Sequence, residues 1–469
     1  MNFKVLYFFV MKKHHLIGIS IVSFIVLFVN EDIGLNLAIF ALVLIGLLVY
    51  SFKQHLKGTV ERVLLGLSIL SCLAFAWYGD FASFVAVFLS VLVLQFRIQT
   101  PQLKSIQVVP LLLINSLATS IRFFQFSKWL PEIRMNTNFA KILVAYVIIP
   151  LSFLSVFFLV YSFGSDHFSS LFTNYTFEFN PYQLIFVVVF GTYFSFSFWN
   201  YWVPDICLEM NSKLQDELKE GHVGTNQSIF SILDTDFKRK SGEITFLLLN
   251  LLLLLFLVTF NYEQFFESIA SSQLSVATHE RVNAVLFSIF LSIVVVLVYF
   301  KGEFNFDSKA KTMKILAKTW MVLNGFLIVS TLIVNTEYIA SFGLTYKRLG
   351  VYAFLFLAAM SLIFTAVKIT KIKSNAYVFN QMIWYCYGMI LLSSFVNWGN
   401  IITIYNISVN KGLEPIFISN LNYNDAARRQ FFLENKLDGQ YVEQIREKEI
   451  KTKQSATFLS KSLYYEFLK

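Results

Sequence analysis

Apolar residues in this chain gather into blocks of roughly 15 to 22 residues, the length a helix needs to cross the hydrocarbon core of a bilayer. That one feature removes most alternatives. In hydrocarbon every backbone N–H and C=O must find its partner within the segment or a closed barrel, so apolar blocks of this length fold as helices. Eleven blocks are read as spans: Leu16–Val29, Leu35–Phe52, Val63–Tyr78, Phe81–Phe96, Ile142–Phe163, Tyr182–Val203, Ile244–Phe260, Val282–Phe300, Met313–Val334, Leu349–Val367 and Met382–Ile404. Lys12 and Lys13 precede the first block and no small-x-small cleavage site follows it, so it is expected to remain as an uncleaved span.

Composition agrees. Hydrophobic residues make up 56% of the chain and charged residues 14%, against about a quarter charged in a soluble domain. The 53 Phe residues read as lipid-facing bulk. The formal charge of +9 comes from Lys and Arg in the connections, which points to membrane orientation and not to nucleic acid. Of 38 Lys and Arg, 25 lie in the N-terminus and alternate loops, counting Lys314 and Lys318 in the opening turns of the Met313–Val334 block, 3 in the intervening loops and 10 in the tail after Ile404. The bias predicts a cytoplasmic N-terminus and, with eleven spans, an extracytoplasmic C-terminus.

One further segment, Val108 to Ile121, is apolar enough to tempt a twelfth span. Asn115, Ser116, Thr119, Ser120 and Arg122 share one helical face, and Leu113, Ile114, Leu117, Ile121 and Phe124 the other. That pattern predicts an amphipathic helix lying in the interface. The expected architecture is all-α: a polytopic transmembrane helix bundle with one interfacial helix and a small helical C-terminal tail. Its divisions are a four-span unit at 1–100, the interfacial helix and linker at 101–141 on the cytoplasmic side, a seven-span domain at 142–405 and an extracytoplasmic tail at 406–469. In the tail, Asn424 is placed to cap a helix through Arg428 and Leu433, and a second helix is expected from Tyr441 to Lys453. So short a tail buries little core alone, so it is expected to pack on the outer face or on a partner.

Familiar catalytic motifs are absent: there is no HExxH, GxSxG, Gly-rich phosphate loop or CxxC. Cys72, Cys207 and Cys386 are far apart, and His279-Glu280 lacks the second His of a zinc site. No catalytic residue, metal or cofactor is assigned. Asn250, Asn324 and Asn397 fall within spans and are expected to hydrogen-bond between helices. Only Pro150 lies firmly inside a span, so broken transporter helices are not expected. Polar residues collect on the predicted outer side: Asp166 and His167, His279, Glu280 and Arg281, Glu337, then Lys347 and Arg348. They form either a polar pocket or a belt of interfacial anchors. Within Phe342-Gly343-Leu344-Thr345, Gly343 permits a tight turn and Thr345 is placed to cap the next helix. Arg348 is expected at headgroup level, anchored to phosphate or paired with Glu337 or Glu280.

Several local patterns recur together: Ile149-Pro150-Leu151 leading to Ser165-Asp166-His167-Phe168, His279-Glu280 opening a helix, Phe342 to Thr345 with Arg348, and Tyr405-Asn406 before Leu421. Through them residues 142–421 resemble a bacterial family of multi-spanning inner-membrane proteins known as a domain of unknown function. His167 stands where that family's pattern often has Pro. The resemblance implies the fold and supplies no reaction. The expected role is a non-enzymatic envelope scaffold, sensor partner or assembly factor, binding the lipid bilayer and a protein partner through residues 406–469. A transporter or flippase of a lipid-like substrate is the alternative, and an enzyme acting on a lipid-linked substrate a third.

Overall fold

In a computed structural model the described residues are 12–130, 146, 149–165, 168, 180–218, 234–266, 271–435 and 440–468; they form helices and connections, with no strand among them. Their contacts divide into two units.

The first unit holds residues 1–100, 108–204 and 453–469. Its helices are α1 (Lys13–Phe28), α2 (Leu35–Ser51), α3 (Thr59–Tyr78), α4 (Phe81–Gln99), α5 (Val108–Phe123), α6 (Ile149–Gly164) and α7 (Pro181–Trp199). Turn chemistry sets their ends. Gly79 takes the left-handed conformation after α3, Asp80 and Ser83 close a reciprocal capping box on α4, and Asn180 with Pro181 starts α7. Helices α3, α4 and α7 are each long and apolar enough to cross a membrane; α1 and α2 are shorter apolar helices. Gln95 donates to the carbonyl of Phe198 and Thr100 meets Tyr201 at 3.0 Å, so α4 and α7 finish at the same end.

Helix α5 shows why length and composition alone do not define a span. Ser105–Phe123 passes that test. Yet Tyr193 donates to the Ser116 carbonyl, Thr119 to Ser197 at 3.0 Å, and Arg122 to the carbonyl of Asn200. Asn115 exchanges hydrogen bonds with the backbone of Trp202 at 2.9 and 2.6 Å. The second half of α5 thus remains beside the last turns of α7. At about 1.5 Å rise per residue, a helix crossing from that end would have carried these residues about 10 to 20 Å away. Asn115 and Thr119 are buried toward α7, while Leu113, Leu117, Ile121 and Phe124, together with Ser116 and Ser120, are exposed. The geometry is that of an amphipathic helix laid across the end of the bundle.

The chain's final segment docks at the other end of this unit. Leu35 and Asn36 donate their amides to the carbonyls of Lys461 and Leu459, each at 2.9 Å, and Trp77 stacks on Phe467. A Cβ at Gly34 would enter the backbone of Ser460, so only glycine admits this segment.

The second unit holds residues 101–107 and 205–452. It contains α8 (Asp205–Lys213), α9 (Thr235–Phe266), α10 (Ser271–Tyr299), α11 (Lys311–Phe342), α12 (Tyr346–Thr370), α13 (Asn375–Phe395), α14 (Trp398–Val409), α15 (Pro415–Ser419), α16 (Asp425–Glu434) and α17 (Gln440–Ser455); α17 runs into the first unit's final segment, which carries the short α18 (Leu463–Glu466). Helices α9 to α12 are long and apolar enough to cross. One core runs along them, with Phe246, Val285, Met313 and Leu355 among its buried members. Asn250 donates to the carbonyl of Leu316 at 3.0 Å, joining α9 to α11, whereas Asn324 bonds within its own helix to Trp320.

The expected last span, Met382–Ile404, is not continuous. Helices α13 and α14 meet at 70°. Neither Gly nor Pro sits at the joint itself. Asn397 restarts the helix by accepting from the Asn400 amide, and its own amide donates to the Tyr423 carbonyl at 2.9 Å. Gly399 lets α14 press against the Asn422 backbone, where a Cβ would clash. The C-terminal module therefore starts at Trp398, within the block read as a span.

Candidate functional site

The polar residues singled out by sequence divide sharply once placed. Asp166 and His167 lie outside the described residues. His279, Glu280 and Arg281 belong to the first half of α10, and their side chains also lie outside them. Gln264 near the end of α9 donates to Glu337 near the end of α11, so these two helices finish together at one end of the unit. Glu337 and Lys347 are exposed there.

Arg348 makes no pair with Glu337 in the described contacts, and the side chain of Glu280, its other expected partner, lies outside the described residues. Arg348 itself is buried. Its guanidinium lies 4.2 Å from the Tyr338 ring centroid and donates to the carbonyl of Gly343. Its own carbonyl accepts from Asn335 at 3.2 Å. The expected pairing with Glu337 gives way for a physical reason: an Arg five residues past a tight turn reaches back to that turn's free carbonyl.

The turn is the centre of a joint. Gly343 adopts φ +84° and ψ 177°, a region open in practice to glycine alone. The Thr345 hydroxyl accepts from the Arg348 amide at the start of α12. Between them, Leu344 offers its amide to the Asn406 side chain at 2.6 Å and accepts from it at 3.1 Å. Asn406, fully buried in α14, also donates to Gly412 at 3.4 Å. Leu344 then packs with Ile339, Ile402 and Leu421. One asparagine thus reads both backbone groups of one residue, which fastens the C-terminal module to the turn between α11 and α12.

Behind the joint the module has its own core, Ile418 with Phe431 and Phe432. Asn424 does not cap α16 with its side chain. It donates to Thr403 and to the Ile418 carbonyl, both at 2.8 Å. Asp425 and Arg428 are fully buried and 3.0 Å apart, and Arg446 from α17 approaches the same carboxylate at 3.2 Å. From sequence Arg428 was named only as a member of this helix, and Asp425 and Arg446 were not singled out. A charged residue at a helix start reads as a surface cap until a partner 21 residues away covers it.

At the other end of the unit the charges are basic. Arg239 bridges Asp236 and Asp307 at 2.6 and 3.1 Å. Partial burial works against ionisation of Asp307, but the Lys309 amide and the Arg239 guanidinium outweigh it and hold its carboxyl below the usual range.

Among the described residues no group of three His, Cys, Asp or Glu is placed to hold a metal ion. At the turn itself, the Asn335 and Asn406 side chains and the Arg348 guanidinium each bond to backbone groups.

The family described as Domain of unknown function (DUF4153) matches residues 16–428. The chain belongs to this family. No curated protein and no solved structure matches it. The DUF4153 match begins within α1, so it includes the four-span region that the local motifs did not reach, and ends at Arg428 inside α16. Both halves of the joint, Gly343 to Arg348 and Asn406, fall inside the DUF4153 region. The rest of α16, all of α17 and the final segment fall beyond it.

Proposed function

We propose that this chain is a non-enzymatic scaffold of the bacterial cytoplasmic membrane that presents its C-terminal helical module to a protein partner on the extracytoplasmic side. The observation that carries the reading is the joint at Leu344 and Asn406. A module held by a buried two-way hydrogen bond and shared apolar packing is displayed in one orientation. A flexible tether would need none of this. Such display suits docking, because a rigid surface loses little conformational entropy when it binds.

The charge bias of the loops supports the orientation. In the second unit the module lies at the end opposite Arg239, Lys309 and Lys368, the end that rule assigns to the cytoplasm. Ile416 and Leu433 on the module are 70% and 80% exposed, and both belong to helices whose inner faces share one core. They are the proposed contact residues. Transport gains no support from the broken last span, since Asn397 and Gly399 at the break are committed to Tyr423 and Asn422 of the module.

A photoreactive amino acid placed at Leu433 should crosslink in intact cells to a discrete protein, and the same probe at Phe256 in the apolar face of α9 should not. The Leu433→Glu variant should lose that partner in native pull-down while keeping its expression. Crosslinks to lipid alone, or to no protein, would sink the docking role.

A further inference from the structure

The first unit contains a partly open cavity of about 290 Å³ where α5 lies across α4 and α7. Its apolar walls come from all three helices, with Phe88, Leu92 and Phe96 on α4, Leu111 and Leu112 on α5, and Phe194 on α7. The volume is near the lower bound of small-molecule sites, about 300 Å³.

The polar side chains in the wall decide what it can hold. Gln95 donates to the Phe198 carbonyl, and Asn115 is engaged by Leu111 and by both backbone groups of Trp202. Ser116 donates to Leu113, and Tyr193 to the Ser116 carbonyl. Ser197 accepts from Thr119, and Tyr201 pairs with Thr100. Each polar side chain of the lining has at least one protein partner, and the rest of the wall is apolar. A water cluster needs two to four polar partners per molecule, and a polar solute needs unspent donors or acceptors. The wall favours an occupant that asks for none. Apolar holes of this size are unfavourable when empty and take up hydrocarbon.

We infer that this cavity is a binding site for a single hydrocarbon chain, held beneath α5 at the end of α4 and α7. In a bilayer such a chain comes from a membrane phospholipid or from a free fatty acid, and the same walls receive either. The site rests on the first unit alone and is independent of the C-terminal module.

The test uses the full-length protein in vesicles of phosphatidylglycerol and phosphatidylethanolamine, doped with either a diazirine-tailed phosphatidylglycerol or a diazirine-tailed free fatty acid. Photolysis followed by peptide mapping should label α4, α5 or α7 at the cavity wall with at least one probe. The probe that labels identifies the source. Leu112→Trp, which fills the cavity, should cut that labelling roughly tenfold. Labelling of the exposed face of α9 should be unchanged. Leu112→Ala, which enlarges the cavity, should keep the label, so loss in both variants together with a lowered melting temperature would mark misfolding and overturn the inference. Wall labelling by neither probe, or labelling that Leu112→Trp leaves intact, would overturn it as well.

Discussion

Gly343→Ala should release the C-terminal module from the membrane bundle, at a cost of about 2–4 kcal/mol. Two effects add. The backbone at φ +84° and ψ 177° is strained for any residue with a side chain. A Cβ there would also lie 2.8 Å from Asn406 Oδ1 and 2.9 Å from the Lys411 carbonyl, so Asn406 must move. Leu344 would then lose the partner of its buried amide. Limited trypsin digestion in detergent should cut the variant faster between 411 and 453 than the wild type. Gly325→Ala is the matched control, since nothing lies within 4 Å of a Cβ at that helical position. It should digest like the wild type. Equal protection in Gly343→Ala would mean that the joint does not hold the module.

Asp425→Ala should be the most damaging single change inside the module. Removing one member of a buried ion pair costs about 3–5 kcal/mol, because the other charge stays in a dry site. Here two guanidiniums, Arg428 and Arg446, face the same fully buried carboxylate. The surface pair Lys461–Glu466, 20% and 47% exposed, provides the contrast. Its removal by Glu466→Gln should cost less than about 1 kcal/mol. Thermal unfolding in detergent, followed by exposure of a cysteine introduced at Phe432, should separate the two by several degrees. If Asp425→Ala and Glu466→Gln unfolded alike, the buried network would not be what orders α16 and α17.

Helical apolar blocks were legible because one quantity, the length of an apolar run, determines them; among the described residues eight helices are long and apolar enough to cross a membrane, or nine with the bent pair, and Lys13–Phe28 and Leu35–Ser51 are shorter. The helix α5 was legible for a similar reason, since its apolar and polar positions are written three and four residues apart. What escaped was anything set by distant partners. Asn406 meets Leu344 across 62 positions, and Arg446 meets Asp425 across 21. Gly343 and Thr345 carried a local turn signal, and Arg348 stood beside them, but its target was misread. A buried backbone carbonyl has no letter in the sequence, whereas Glu337 does. The break at Asn397 escaped because its cause, the approach of Asn422 and Tyr423, comes from the tail that the break itself makes room for.

In the proposed orientation the module faces outward and the basic loops face the cytoplasm. Single cysteines at Lys448 and Lys57, in a background lacking the three native cysteines, test it directly. In intact cells a membrane-impermeant maleimide should label position 448 and spare position 57, and permeabilised cells should show both. Labelling of 57 with protection of 448 in intact cells would contradict the account.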